Sequence, residues 1–381
     1  GRLAVDAGGT LWLVDSHRVL GFSDPWSGQA RADRVVGQVR LDEVGFNLVD
    51  GDGFSEPTAL TLDTSVTPPH LYVLDVANQR VLGWADAERF SNGQAADLVL
   101  GQQDRWSTGC NKGGRGMASL CTRGQYSGMA VDAHGTLWVA DAGNNRVLGY
   151  RAPFVQGGVA DVVLGQPDGS TGDCALSASG LCLPGGVAVD RDGNVFVADI
   201  AQNRILEYDD PLHRGGVADG VLGSRNMRRN RCTDPATCFS APNGSHPGLD
   251  VSGGPLVIDR AGRLLVGNGN TVFVFARPPK AGARSRRLVE LPDSYFAPVA
   301  MATDTSGRIY VTAGEGVQRF RADGVGPDLE VGECPVSDST GLPVAFGPAT
   351  LCAARGVAVS PAGELFVSDG AARRVVVYDV P

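Results

Sequence analysis

Four aspartates of this 381-residue chain each stand five residues ahead of an arginine: Asp75 and Arg80, Asp141 and Arg146, Asp199 and Arg204, Asp369 and Arg374. A carboxylate and a guanidinium make strong, charge-assisted hydrogen bonds. Such a series is either a ring of charge around a ligand or a structural tie used once per repeat. The tie is favoured, each pair holding its turn to the next strand, because short polar side chains are standard turn-formers. Chemistry is therefore sought where the copies differ. Asp50-Gly51-Asp52-Gly53 and Glu56 bring three carboxylates together. Calcium asks for about six to eight oxygens. The third acidic position and the closing Glu of an EF-hand loop are missing, and an Asp-Gly turn explains the same residues. The expectation is no cofactor, with calcium at Asp52 and Glu56 as the alternative.

Two basic runs stand out from a formal net charge of −9. One is Arg225, Arg228, Arg229 and Arg231; the other is Arg277, Lys280, Arg284, Arg286 and Arg287. Solvated loops and a contact for an acidic partner both fit them. The overall acidity argues against a nucleic-acid or anionic-membrane binder, and no apolar run is long enough to insert in a membrane. His17, His70, His134, His213 and His246 fall in different connections. No GxSxG elbow, phosphate loop or dinucleotide fingerprint occurs.

The element that positions these residues is a repeat. Gly128–Tyr150 reads GMAVDAHGTLWVADAGNNRVLGY and returns six more times, intact or worn. In this copy the apolar segments are Met129–Asp132, Leu137–Asp141, Arg146–Tyr150 and Val159–Gly165, separated by Gly, Asn and Asp. Short apolar runs bounded by turn residues are strands. Their nearly unbroken apolar character suits strands covered on both faces. The pattern predicts an all-β fold, a seven-bladed β-propeller of four-stranded antiparallel blades spanning residues 1–381 as one domain. Units five and six have lost the Asp and the Asn-Arg pair. Unit seven ends without a fourth strand, so either the last blade has three strands or a closing strand was lost upstream of Gly1. The start inside a repeat, at Arg2-Leu3-Ala4-Val5-Asp6, reads as a mature or trimmed product.

The run Gly186-Val187-Ala188-Val189-Asp190, then Gly193-Asn194-Val195-Phe196-Val197-Ala198-Asp199, then Asn203-Arg204-Ile205-Leu206-Glu207-Tyr208 resembles an NHL repeat. Val-Ala-Asp followed by Asn-x-Arg or Asn-Arg carries the likeness, which covers nearly the whole chain. It implies a β-propeller. Seven units stand here where six are usual, and long Cys-bearing insertions interrupt them. Related propellers include an amidating lyase with a histidine-bound zinc, metal-dependent lactonases, and lyases that degrade streptogramin-type antibiotics. None of their ligand sets or His–Glu pairs maps onto this chain.

All eight cysteines fall in insertions between the fourth strand of one unit and the first of the next, two per insertion: Cys110 with Cys121, Cys174 with Cys182, Cys232 with Cys238, Cys334 with Cys352. The repeat phase singles out these local pairs as disulfides. Free thiols or a metal site are the alternative, and no CxxC or nearby His supports zinc. Disulfides imply an oxidising compartment: secreted, periplasmic or cell surface. The insertions are expected to carry little packing and to share a face with the Asp–Arg turns. Glu56, Arg355 and Glu315 lie where they could face a central channel. The expected function is a binding or assembly module that presents disulfide-closed loops to a protein or glycan partner, with Asp50, Asp52, Glu56, Arg228, Arg229, Glu315 and Arg355 as its candidate residues. Self-assembly through the insertions is a further partner expectation. A metal-dependent lyase or hydrolase with a divalent cation at the channel mouth is the alternative.

Overall fold

A computed structural model describes residues 2–6, 8–26, 30–45, 49–89, 91–124, 127–224, 227–228, 255–268, 271–276, 286–290, 300–313, 316–332, 351, 353–370 and 374–380. It has the architecture anticipated from the repeat, a seven-bladed β-propeller. Six antiparallel sheets have four strands in sequence order, and the last has three. The first four sheets belong to one compact unit, Gly1–Leu249 with Lys280–Ala283; the other three belong to a second, Asp250–Pro279 with Arg284–Pro381.

The third blade shows why these residues form these strands. Met129–Val131, Thr136–Asp141, Arg146–Arg151 and Val162–Leu164 pair as a simple meander. All six residues of Thr136–Asp141 are buried. The sheet packs on the second blade through Leu137, Val139, Leu148 and Tyr150 against Tyr72, Leu74 and Val81. It packs on the fourth through Trp138, Ala140 and Val147 against Val187, Val195 and Val197. Each buried aliphatic side chain stabilises this stacking by about 1.5–3 kcal/mol. No blade could bury both faces alone. In the second unit, Leu265 and Val272 meet Met301, Ile309 and Val311 in the same manner.

Trp138 needs space as well as neighbours. A Cβ on Gly149, in the adjacent strand, would lie 2.6 Å from the Trp138 ring, so only glycine fits there. The first strand of each blade ends on or runs into an Asp or Ser that caps the following turn. Asp132 accepts from the amides of His134 and Thr136, and from the Trp138 indole.

Several expected boundaries shift. The segment starting at Val159 becomes a strand only at Val162, because a helical turn, Pro153–Gln156, precedes it and leaves Val159 exposed. A matching turn, Pro211–Arg214, occupies the fourth blade. Arg286 and Arg287 belong to a strand, Arg286–Glu290, rather than to the connection before it. The sixth blade has a fourth strand, Leu329–Val331, too short and mixed in polarity to stand out in sequence. His70 opens the strand His70–Asp75 instead of lying in a connection. Among the described residues no helix is long and apolar enough to cross a membrane.

Candidate functional site: the insertions between blades

The Asp–Arg pairs do more than tie a turn. In the third blade a short helical turn, Ala142–Asn144, is followed by Asn145 in the left-handed region at φ 53°, which reverses the chain within five residues. That reversal sets the Arg146 Nε 2.7 Å from Asp141 Oδ2, and the Asn144 amide donates to the same oxygen at 2.7 Å. The other Asp141 oxygen accepts the Cys121 amide at 2.6 Å. The remaining guanidinium nitrogens donate to the carbonyls of Gly116 and Ser119, ahead of the blade, and of Gly169, behind it. One arginine thus fastens two successive insertions.

The arrangement recurs in the neighbouring blades. Arg80 donates to Asp75, to the carbonyls of Asp50 and Gly53 before its blade, and to that of Arg105 after it. Arg204 donates to Asp199, to Ser177 and Gly180 before, and to Met227 after. All six ionised side chains are 0% exposed. A buried ion pair is tolerable only when its remaining donors and acceptors are used, and here the insertion carbonyls use them. Asp199 lacks the Asn donor that Asp141 has, since Gln202 stands in place of Asn144. Burial pushes its carboxyl up to about 6, against the opposing pull of Arg204 and the Cys182 amide. In the first blade the pair Asp15–Arg18 is partly exposed, and its arginine reaches the carbonyls of Leu41 and Glu43.

The insertions also carry packing, contrary to the expectation that they would carry little. Leu120 and Leu181 are completely buried, each seated on a glycine at the end of the preceding fourth strand. A Cβ on Gly165, at φ +80°, would lie 2.3 Å from Leu181. Phe54 sits on Gly37, and in the second unit Leu351 on Gly332, in the same way. Further along, the carbonyls of Gly51, Met117 and Ala178 accept the amides of Ala96, Ala160 and Ala218, just ahead of the next fourth strand. Gln102 and Gln166 each bridge the clamp turn to the insertion, donating to Gln79 and Gly109 and to Asn145 and Asp173. These roles were visible as the recurring Leu-Gly-Gln at 100–102 and 164–166 and the Leu-Cys at 120–121 and 181–182, signals that a search for reactive residues passes over.

Two of the anticipated disulfides, Cys110–Cys121 and Cys174–Cys182, are formed. Cys232, Cys238, Cys334 and Cys352 lie outside the described residues, as do Arg229 and Glu315. Arg228 and Arg355 are exposed, in different units. Asp50 forms the Asp-Gly turn, one carboxylate oxygen accepting the amides of Asp52 and Gly53. Burial, together with the Asp50 carboxylate beside it, pushes the Asp52 carboxyl up to about 6. Glu56 is exposed, and its amide rather than its carboxylate is used, donating to Asp75. Among the described residues no three His, Cys, Asp or Glu side chains gather as a metal-holding group. His246 lies outside the described residues, and among those described His17 contacts the Ser55 carbonyl, His70 lies 3.5 Å from Asp63, and His213 pairs with Asp210.

Three further residues stand out, Trp106, Arg105 and Glu207. Trp106, ahead of Cys110 in the insertion 102–121, is 67% exposed, the most exposed aromatic side chain among the described residues. The Arg105 guanidinium lies 5.8 Å from its ring centre. Glu207 stands where blades one to three have Gly21, Gly83 and Gly149, and is only 5% exposed. Burial, then the charges of Asp209, Asp190 and Asp219, push its carboxyl up to about 7.

No family model matches the chain, and no curated protein matches it. Solved structures do resemble it. A catalytically inactive virginiamycin B lyase from Staphylococcus aureus, determined with quinupristin, is 10% identical with a TM-score of 0.54, over 98% of this chain and 92% of that one. The extracellular domain of a putative hybrid two-component system from B. thetaiotaomicron is 11% identical with a TM-score of 0.55. That match covers 99% of this chain and 38% of the other, so the present chain spans well under half of it. A chain of the Mitotic Checkpoint Complex is 10% identical with a TM-score of 0.55, over 99% of this chain and 86% of that one. At such identities the likeness concerns the fold alone.

Proposed function

We propose that the chain is an extracellular propeller of the NHL type that works as a binding module, offering its insertions to a protein or a glycan. The observation that carries this reading is the set of buried arginines, each holding the backbone of two consecutive insertions. Rigid loops on a repetitive scaffold are the usual place for recognition, and pre-organisation lowers the entropic cost of binding. The Cys110–Cys121 and Cys174–Cys182 bridges support an oxidising compartment. The fold shared with an extracellular domain of a two-component system agrees with that placement. The lyase reading draws only on the fold of virginiamycin B lyase.

The test is to probe the purified chain against arrays of glycans and of extracellular proteins. A second sample has the tips 103–106 and 167–171 replaced by Gly-Ser segments. A partner captured by the natural chain and lost with the tips supports the module. Capture that ignores the tips, or a stoichiometric divalent ion whose chelation abolishes turnover of a screened substrate, overturns it.

A further inference from the structure

We infer that Trp106, together with Arg105 and the Asp50–Asp52 pair, forms a subsite for a neutral hexopyranose unit of a glycan. This rests on the binding-module reading and narrows its ligand to a carbohydrate.

The residues come from two different insertions brought together by one buried cation. A single Arg80 nitrogen donates to the carbonyls of Asp50 and Arg105, at 2.9 and 2.6 Å. The Arg105 side chain then crosses the backbone at Gly51, where a Cβ would lie 2.9 Å from its Cδ. Glycine at 51 is what lets it pass between the two aspartates. From there the guanidinium reaches the Trp106 ring, and among the described residues it makes no ion pair or hydrogen bond.

Trp106 is exposed, yet its backbone is fixed. Its amide donates to the Asp104 carboxylate at 3.0 Å, Gln102 ties the segment to Gly109, and Cys110–Cys121 closes the loop beyond it. An exposed indole on an anchored backbone costs solvent-exposed apolar area without any packing gain for the fold. It is also a rigid, large contact face of the kind that serves as a binding anchor.

The chemistry that fits is specific. One face of a pyranose ring is a patch of C–H groups that packs on an indole, while its edge carries adjacent hydroxyls. Each hydroxyl both donates and accepts. A planar guanidinium offers paired donors to neighbouring hydroxyl oxygens, and the Asp50–Asp52 pair offers acceptors. Hydroxyls remain suitable partners whether Asp52 holds its proton or not. A uronate or sialate would bring a negative charge against the aspartates, in a chain already at −9. The Arg105 guanidinium offsets only one of the two carboxylates, so the net charge of the subsite favours a neutral sugar.

The experiment titrates the full-length chain with cellohexaose, laminarihexaose and mannohexaose, and with oligogalacturonate as the charged comparison. Binding is followed by calorimetry and by tryptophan fluorescence. At least one neutral hexaose should bind and perturb the indole emission. Trp106→Ala should weaken that binding about tenfold or more, Trp106→Phe less, and Arg105→Ala by an intermediate factor. The melting temperature should not move in Trp106→Ala, since the side chain is exposed, so a loss of binding is not a loss of fold. Undiminished binding by Trp106→Ala overturns the subsite and leaves the binding module standing. Preference for oligogalacturonate, or no binding of any neutral hexaose at millimolar concentration, overturns the sugar assignment. Failure of the module itself shows instead as capture that is indifferent to the insertion tips.

Discussion

Blades two to four and blades five and six solve the same hairpin in two ways. In the first group the second strand ends on an aspartate paired in register with an arginine, as Asp141 with Arg146. In the second the paired positions are Asn268 with Thr271 and Ala313 with Gly316, and the turn is shorter. Blades five and six still form four-stranded sheets with buried Leu265, Val272, Ile309 and Val311. The sheet therefore does not need the ion pair. What the pair serves is the insertion on either side of it. Among the described residues of the worn blades, two arginines pair with aspartates at the other end of the sheet. Arg263 pairs with Asp259 and Arg308 with Asp304, each arginine partly exposed at 22% and 26%.

The sharpest way to break this contrast is to remove one arginine from each group. Arg146→Ala leaves a buried carboxylate with the carbonyls of Gly116 and Ser119 unpaired, and should cost about 3–5 kcal/mol in denaturant unfolding. Arg308→Ala removes a partly solvated pair and should cost no more than about 1 kcal/mol. Equal losses would mean that the buried clamp has no special role. Leu181→Ala tests the apolar half of the same junction. The side chain is fully buried against Gly165, and its truncation should cost about 2–5 kcal/mol. An insertion that merely rested on the surface would lose far less.

Removing the bridge by Cys110→Ser with Cys121→Ser should have a smaller global effect, about 2 kcal/mol. Arg80 and Arg146 continue to hold the loop on either side. Amide exchange should rise at 103–119 and stay unchanged in strand Thr136–Asp141. Exchange rising equally in the strand would show that the bridge, not the arginines, supports the blade.

Much of this architecture could be read before any coordinates. Strand order, blade count and the pairing of Cys110 with Cys121 follow from the repeat phase, because apolar period and turn residues act locally. The tie between Asp141 and Arg146 was equally plain from their spacing. Its reach was not. Gly116, Ser119 and Gly169 contribute only carbonyls, which carry no side-chain signature, so the clamp's partners are invisible in sequence. Leu181 looked like an ordinary loop residue because its receptor is the bare backbone of Gly165, 16 positions away. Asp52 and Glu56 suggest cation ligands by residue type alone. The structure spends Asp50 on its own turn and leaves Glu56 exposed. Trp106 carries no signal in the sequence, because a single aromatic residue in a loop has no period to betray it.

Within the clamped blades the fourth carries a buried carboxyl where its neighbours have glycine, and this gives the smallest but most selective measurement. Glu207 stands where Gly21, Gly83 and Gly149 accommodate a ring, and Gly220 opposite leaves it room: a Cβ there would lie 2.3 Å from Glu207 Oε2. Burial and three nearby aspartates hold its carboxyl protonated up to about 7. The unfolded chain releases the same proton near the ordinary glutamate value of about 4.3. The folded state thus binds more protons between those limits, and stability falls as the pH rises through them. Glu207→Gln carries no such proton. It should match the natural chain below about pH 4, gain on it as the pH rises, and exceed it at pH 8 by about 1 kcal/mol, a figure discounted for partial screening by solvent. Asp199, pushed up to about 6 in the same blade, adds a slope of the same sign. That slope is common to both proteins, so the difference between their two curves isolates Glu207. A variant that parallels the natural chain at every pH would mean that the carboxylate is solvated after all, and that a charge in this blade costs no more than glycine does in the others.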